Sequence, residues 1–94
     1  MIQSFKGNWA EALHRLESPG KGFPADLVRT AQRKLAMLDA AVELENLRVP
    51  PGNRLEALAG DRKGQHSIRI NDQWRICFKW TGAGPEDVEI VDYH

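Results

Sequence analysis

Cysteine is nearly absent from this chain: Cys77 stands alone among 94 residues. That excludes an internal disulfide and any zinc site built from several cysteines. An excess of either charge is missing as well, since 13 Lys and Arg balance 13 Asp and Glu. A grip on nucleic acid through whole-protein charge is therefore ruled out. No apolar run is long enough to span a bilayer, and residues 1–6 are too short for a secretory leader and are followed by Gly7-Asn8. The expectation is a soluble, cytoplasmic protein with no membrane partner. The phosphate-cradling and dinucleotide glycine loops, HExxH and metal-type Cys/His spacings are all missing, so no cofactor and no metal are expected.

What is present is ordinary for a globular chain: 41% hydrophobic and 28% charged residues. The length suits one domain, residues 1–94, with a small core in which the three Trp are the natural anchors. The charge is unevenly spread. Residues 54–79 hold six cations (Arg54, Arg62, Lys63, Arg69, Arg75, Lys79) against three anions, and Glu86, Asp87, Glu89 and Asp92 then restore the balance. A local positive patch is possible where a global one is not.

The chain is organised around residues 73–80, QWRICFKW. Trp74, Ile76, Phe78 and Trp80 alternate with Arg75, Cys77 and Lys79, as in a strand with one apolar and one cationic face. Before it, residues 2–5 read as a short edge strand. Trp9, Ala12, Leu13 and Leu16 have helical spacing after a capping Asn8, to about residue 17. Pro24 and Asp26 open a second helix whose stripe is Leu27, Val28, Ala31, Leu35 and Leu38. Arg29, Arg33 and Lys34 lie mostly off that stripe, which fits either a solvated face or contact with an acidic partner or nucleic acid. Residues 39–47 suggest a further helical piece, and Val49-Pro50-Pro51-Gly52 stops it. Residues 54–58 read as a short strand or a helical turn, and residues 60–64 as a polar loop.

Register follows from parity. Ile68 and Ile70 must share the core face with Trp74 and Ile76, which places Ile70 opposite Trp74, makes residues 71–73 a hairpin loop and sets Arg69 opposite Arg75. On the other side, residues 81–86 read as a loop. Val88 opposite Trp80 then puts Ile90 by Phe78, Glu89 by Lys79, Val91 by Cys77 and Tyr93 by Arg75. One row would read Arg69, Arg75, Tyr93. Like charges facing each other across strands cost up to about 1 kcal/mol, which either acidic neighbours or a bound anion such as phosphate would offset. Parity sends Asp92 and His94 to the opposite face. His14 reads as a surface residue, Cys77 as a small buried thiol, and His66 is ambiguous.

The run LEALAGDRKGQHSIRINDQWRICFKW and the terminal VEIVDYH resemble the HigB-type toxins of bacterial toxin–antitoxin systems, a branch of the RelE/ParE superfamily. The resemblance extends over nearly the whole chain, and the combination of G-D-R-x-G, S-I-R-I-N-x-x-W-R-I and D-Y-H in order is what carries it. It implies an α+β microdomain with N-terminal helices packed on one face of an antiparallel sheet. It implies a ribosome-dependent, metal-independent mRNA endoribonuclease that inhibits translation and growth. It also implies a helix-turn-helix antitoxin of HigA type, which neutralises the toxin and connects it to operator DNA.

Residue by residue, the resemblance assigns Arg75 to the scissile phosphate and Asp92, Tyr93 and His94 to a terminal catalytic triplet. Arg62, Lys63, Arg69 and Lys79 become positions facing RNA or ribosome. Where such toxins often carry a histidine before the Gly-Asp-Arg loop, this chain has Glu56. Attack of a ribose 2′-OH on the adjacent phosphate needs a base, an acid and cations for the developing charge. Arg75 suits the last role because a guanidinium meets phosphate through two donors, and Arg69 would assist. Tyr93 or Glu56 would be the base, His94 the acid and Asp92 an orienting group. The alternatives are a ParE-like toxin that acts by binding, for example on DNA gyrase, and a module whose basic face binds only an acidic partner. For the antitoxin, the face at Arg29, Arg33 and Lys34 and the first helix at residues 9–16 are the two candidate surfaces.

Overall fold

A computed structural model describes residues 1–92 of the chain. Two helices come first and four antiparallel strands follow, in sheet order β1-β2-β3-β4. The strands are β1 (Glu56–Ala57), β2 (His66–Arg69), β3 (Trp74–Thr81) and β4 (Gly84–Asp92). Both helices pack on the apolar face of the sheet, which makes the fold the expected α+β arrangement. Among the described residues, no helix is long and apolar enough to cross a membrane.

Helix α1 (Trp9–His14) is shorter than its apolar spacing suggests. Asn8 precedes it in a helical backbone conformation and makes no side-chain cap. Leu16 takes φ 61° and lies exposed, outside the core, while Ala10 and Leu13 are buried. Helix α2 (Val28–Ala40) follows a 3-10 turn at Ala25–Leu27. Its expected stripe holds: Ala31, Leu35 and Leu38 are fully buried, with Leu27 and Val28 at the margin. The helical piece expected at residues 39–47 is a separate 3-10 turn, Leu44–Arg48, opened by a reciprocal cap between Glu43 and Asn46. Lys34 departs from expectation. It is buried rather than solvated, and its Nζ donates to Asn53 Oδ1.

The β2–β3 ladder has the register that parity dictates, with Ile68 opposite Ile76 and Arg69 opposite Arg75. Asn71 Oδ1 closes the hairpin by accepting the Gln73 and Trp74 amides at 2.9 and 2.8 Å. The β3–β4 ladder differs from expectation. Pro85 faces Trp80 and Glu86 faces Lys79, then Glu89 faces Cys77, Ile90 faces Ile76, Val91 faces Arg75 and Asp92 faces Trp74. Between Lys79 and Cys77 the ladder slips, so Asp87 and Val88 together oppose Phe78, and Asp87 takes φ 51°. This bulge accommodates one extra residue and restores Val88 and Ile90 to the core.

The loop expected at residues 81–86 is instead a tight turn at Gly82-Ala83, and β4 begins at Gly84. Residues 2–5 run along the outer edge of β4, with a parallel bridge from Phe5 to Val88. The Gln3 amide donates to the Pro85 carbonyl at 2.7 Å. Pro85 thus sits on an edge where a missing amide is tolerated. Gly84, at φ 132°, is needed for that approach: a Cβ there would lie 2.2 Å from the Met1 carbonyl oxygen.

The core joins Leu13, Ala31, Leu35 and Leu38 to Ile68, Ile76, Phe78 and Val88. At one end Trp9, Phe23 and Trp74 meet edge-on or tilted, with centroids 5.3 to 5.9 Å apart, an arrangement favoured by the ring quadrupoles. Trp80 only packs against the margin.

A buried arginine on the cationic face

The register places Glu56, Ser67, Cys77 and Glu89 in one row on the face away from the helices, and Arg69, Arg75 and Val91 in the next. Val91 therefore occupies the place beside Arg75 that parity had assigned to Tyr93. Tyr93 and His94 themselves lie outside the described residues.

This face is cationic but not open at its centre. Arg75 is only 9% exposed and Cys77 is fully buried. The Arg75 guanidinium is fixed from two sides: Nε donates to Ser67 Oγ at 2.7 Å, and Nη2 donates to the Arg54 carbonyl at 2.8 Å. Glu56 Oε1 lies 3.1 Å from the same Nη2. A buried guanidinium with a carboxylate and two neutral acceptors is compensated as burial requires. The two facing arginines are also resolved within the protein, because Asp72 pairs with Arg69 while Glu56 pairs with Arg75. Acidic neighbours offset the repulsion between the facing arginines.

Of the expected site residues, the fold thus brings Glu56, Arg69 and Arg75 together. Glu56 arrives because residues 56 and 57 form the edge strand β1 rather than a helical turn. Arg62, on the 3-10 turn Gly60–Arg62, donates to Gln65 Oε1 at 3.1 Å and Glu89 Oε1 at 3.0 Å. Lys63 is exposed, and Lys79, half-exposed, lies 3.6 Å from Asp87 Oδ2. Asp92 shares the parity of Trp74, as expected, and its Oδ1 accepts from Gln73 Nε2 at 3.1 Å.

Burial pushes the Cys77 thiol above its ordinary pKa, with Arg62 opposing the shift and Glu89 adding to it. Cys77 is thus a protonated, inert side chain. Burial lowers the Lys34 pKa, with smaller contributions from Arg33 and Arg69. His66 has the parity of Phe78, stacks on it at 6.4 Å, and leaves Nδ1 buried without a partner among the described residues. His14 lies 3.9 Å from Asp39, on the helical side of the molecule. A cavity of about 390 Å³ opens between residues 6–9 and β4 at Glu89 and Ile90; neither Arg75 nor Glu56 lines it. Among the described residues, no group of three or more His, Cys, Asp or Glu could hold a metal ion.

Two contributors escaped sequence reasoning. Ser67 carried a usable signal, since the β2–β3 register alone puts a polar residue opposite Cys77 and diagonal to Arg75. The Arg54 carbonyl carried none, because backbone groups leave no mark in side-chain patterns.

Residues 3–94 match the HigB-like toxin family, described as RelE-like toxin of type II toxin–antitoxin system HigB. The chain is 41% identical over 81 residues to Toxin HigB-1 of Vibrio cholerae serotype O1, covering 86% of this chain and 85% of that protein. It is 33% identical over 98 aligned positions to Endoribonuclease HigB of Proteus vulgaris, covering 100% of both. A Haemophilus influenzae protein is 30% identical over 78 residues, 83% of this chain and 77% of its own length. Sheet, helices and sequence agree, and the chain belongs to the HigB-like family of type II toxin–antitoxin toxins.

Proposed function

We propose that this toxin is a metal-independent endoribonuclease that cuts mRNA on the ribosome, with Arg75 as the group that holds the scissile phosphate. The observation that carries the reading is the immobilised guanidinium of Arg75 with the Glu56 carboxylate 3.1 Å from Nη2 on the same sheet face. Membership in the toxin family and the likeness to a protein named an endoribonuclease support it.

In this mechanism the substrate phosphate takes up Arg75 donors and releases Glu56, whose side chain is 53% exposed and reaches solvent. Glu56 accepts the proton of the ribose 2′-OH. The 2′-oxygen then bonds to phosphorus, and the bond from phosphorus to the 5′-oxygen breaks. His94 protonates the leaving oxygen, Asp92 orients the triplet, and Tyr93 is the second candidate base. Arg75 and Arg69 stabilise the charge that develops on the phosphorane. The products are a 2′,3′-cyclic phosphate and a 5′-hydroxyl. A placed base of this kind contributes roughly 10²–10⁴-fold in rate. Arg62, Lys63 and Lys79 add contacts to RNA or ribosome, whose strength falls with added salt.

The same reading assigns the chain to the cytoplasm, as one domain over residues 1–94, under control of a helix-turn-helix antitoxin of HigA type. Of the two candidate antitoxin surfaces, the α2 face retains Arg29 and Arg33, which are exposed; Lys34 is withdrawn into the interior. The test is transcriptome-wide mapping of RNA 5′ ends after induction of the toxin, with and without its antitoxin. Codon-phased cuts that vanish when the antitoxin is present are expected. DNA damage with no new 5′ ends would replace this reading with the gyrase-type one.

A further inference from the structure

The guanidinium of Arg75 is aimed by a carbonyl that itself needs explaining. Arg54 supplies that carbonyl from a left-handed conformation, φ 46° and ψ 54°, which a residue with a Cβ disfavours. Its predecessor, Asn53, is fully buried although it lies in a Pro-Pro-Gly loop. The Asn53 side chain uses both of its hydrogen-bonding ends. Nδ2 donates to the Leu47 carbonyl at 3.1 Å and the Val49 carbonyl at 3.4 Å, and Oδ1 accepts from Lys34 Nζ. The backbone is clamped at the same point, with the Asn53 amide on Pro50 and the Arg54 amide on Pro51, at 3.0 and 3.1 Å.

Lys34 is the unusual member. It is 8% exposed and, among the described residues, forms no ion pair. A buried ammonium with a neutral amide as partner is a costly way to fill space, and an apolar side chain of the same length would fill it more cheaply. Its polar end therefore serves position rather than packing. The line of contact runs from helix α2 through Lys34 and Asn53 to the Arg54 carbonyl, then to Arg75. Ser67 fixes the guanidinium from the other side. With Nε and Nη2 both held, Nη1 makes no hydrogen bond among the described residues, and its edge is the one a substrate phosphate meets, together with the Nη2 hydrogen that Glu56 gives up.

We propose that Lys34 and Asn53 are positioning residues for Arg75: they fix the Arg54 carbonyl and so turn the unpartnered edge of the guanidinium toward the scissile phosphate. The inference rests on the reading of Arg75 as the phosphate-binding group. It deepens that reading by extending the active machinery to a helix on the far side of the sheet edge.

The experiment uses the purified full-length protein with mRNA-loaded ribosomes, comparing wild type with Lys34→Met, Asn53→Ala, Arg75→Lys and Leu35→Ala. Leu35→Ala is the control for lost stability: Leu35 follows Lys34 in helix α2 and is fully buried in the hydrophobic core, but its side chain takes no part in the hydrogen bonds of this line. At a temperature where all are folded by near-UV circular dichroism, Lys34→Met and Asn53→Ala should lower kcat on the order of 10–100-fold with KM little changed. Leu35→Ala should lower the melting temperature and leave kcat unchanged. The second readout is the Arg75 Nε–H resonance in nitrogen-15 spectra, assigned by its loss in Arg75→Lys. It should shift and exchange faster with water in Lys34→Met and Asn53→Ala, but not in Leu35→Ala.

Wild-type kcat together with an unmoved resonance in Lys34→Met overturns the proposal. Should Asn53→Ala fail to fold, Lys34→Met, which keeps the buried stem, decides alone. If Arg75→Lys cleaves like wild type, the phosphate reading fails separately, and an unmoved resonance in Lys34→Met still counts against positioning.

Discussion

Over residues 74–78 the two faces of β3 are almost equally buried and are held by different forces. Toward the helices, Trp74, Ile76 and Phe78 are 0 to 5% exposed among aliphatic and aromatic neighbours. On the other face, Arg75 and Cys77 are 9% and 0% exposed, but around them stand Ser67, Glu56, Glu89 and Arg62. Apolar packing is non-directional and scales with area. The cationic face depends on particular donors meeting particular acceptors. The lesson is a division of labour within one strand: truncation on the first face should cost the fold, and on the second should cost activity while the fold persists.

That contrast is sharpened most by Glu56→Gln, which keeps the shape of β1 and removes the proposed proton acceptor. It should slow ribosome-dependent cleavage by roughly 10²–10⁴-fold, the contribution of a placed base, while lowering the melting temperature less than a truncation in the core, because Glu56 is half-exposed and its pair with Arg75 is screened by solvent. An intact rate would move the base role to Tyr93. Phe78→Ala is the complementary lesion and should destabilise the protein by about 3–5 kcal/mol, read from denaturant unfolding. If Phe78→Ala unfolded no more easily than Glu56→Gln, the two faces would not differ as described.

Cys77 gives a pH test. Its folded pKa is raised, so above the ordinary 9.0 the folded state keeps a proton that the unfolded chain releases. Stability should therefore fall as pH climbs from 9.0 toward the raised value, and Cys77→Ala should flatten that part of the profile. A wild-type profile with the same slope as the variant would show that the thiol does not contribute. The smallest effect belongs to Lys79→Ala. Its half-exposed pair with Asp87 is worth ~0–1 kcal/mol, so melting should hardly move, while cleavage at low salt should weaken slightly and the difference from wild type should fade as salt is raised.

How far the sequence disclosed all this depended on whether alternation persisted. Between β2 and β3 it does, and the facing pair Arg69 and Arg75 follows from hydrophobic parity alone. Between β3 and β4 a single extra residue, accommodated by Asp87 at positive φ, shifts every pairing beyond it. Aspartate tolerates that conformation better than most residues, yet nothing in the local pattern demands it. Gly84-Pro85 reads as a loop because both residues weaken strands, and only the N-terminal segment lying against β4 makes them acceptable there. Lys34 looked like one more solvated cation because helical spacing says which face a residue shares, and not which loop folds over it. Arg75 stood out from the alternation alone. Its acceptors come from positions 54, 56 and 67, and only the closed sheet assembles them.

The most direct test of the central claim is the chemistry of the RNA ends made by purified toxin on mRNA-loaded ribosomes, with Arg75→Ala alongside. Wild-type protein should leave 2′,3′-cyclic phosphate and 5′-hydroxyl termini. Arg75→Ala, folded by near-UV circular dichroism, should leave none above background. Equal cleavage by the two proteins, or ends carrying a 5′-phosphate, would contradict the account.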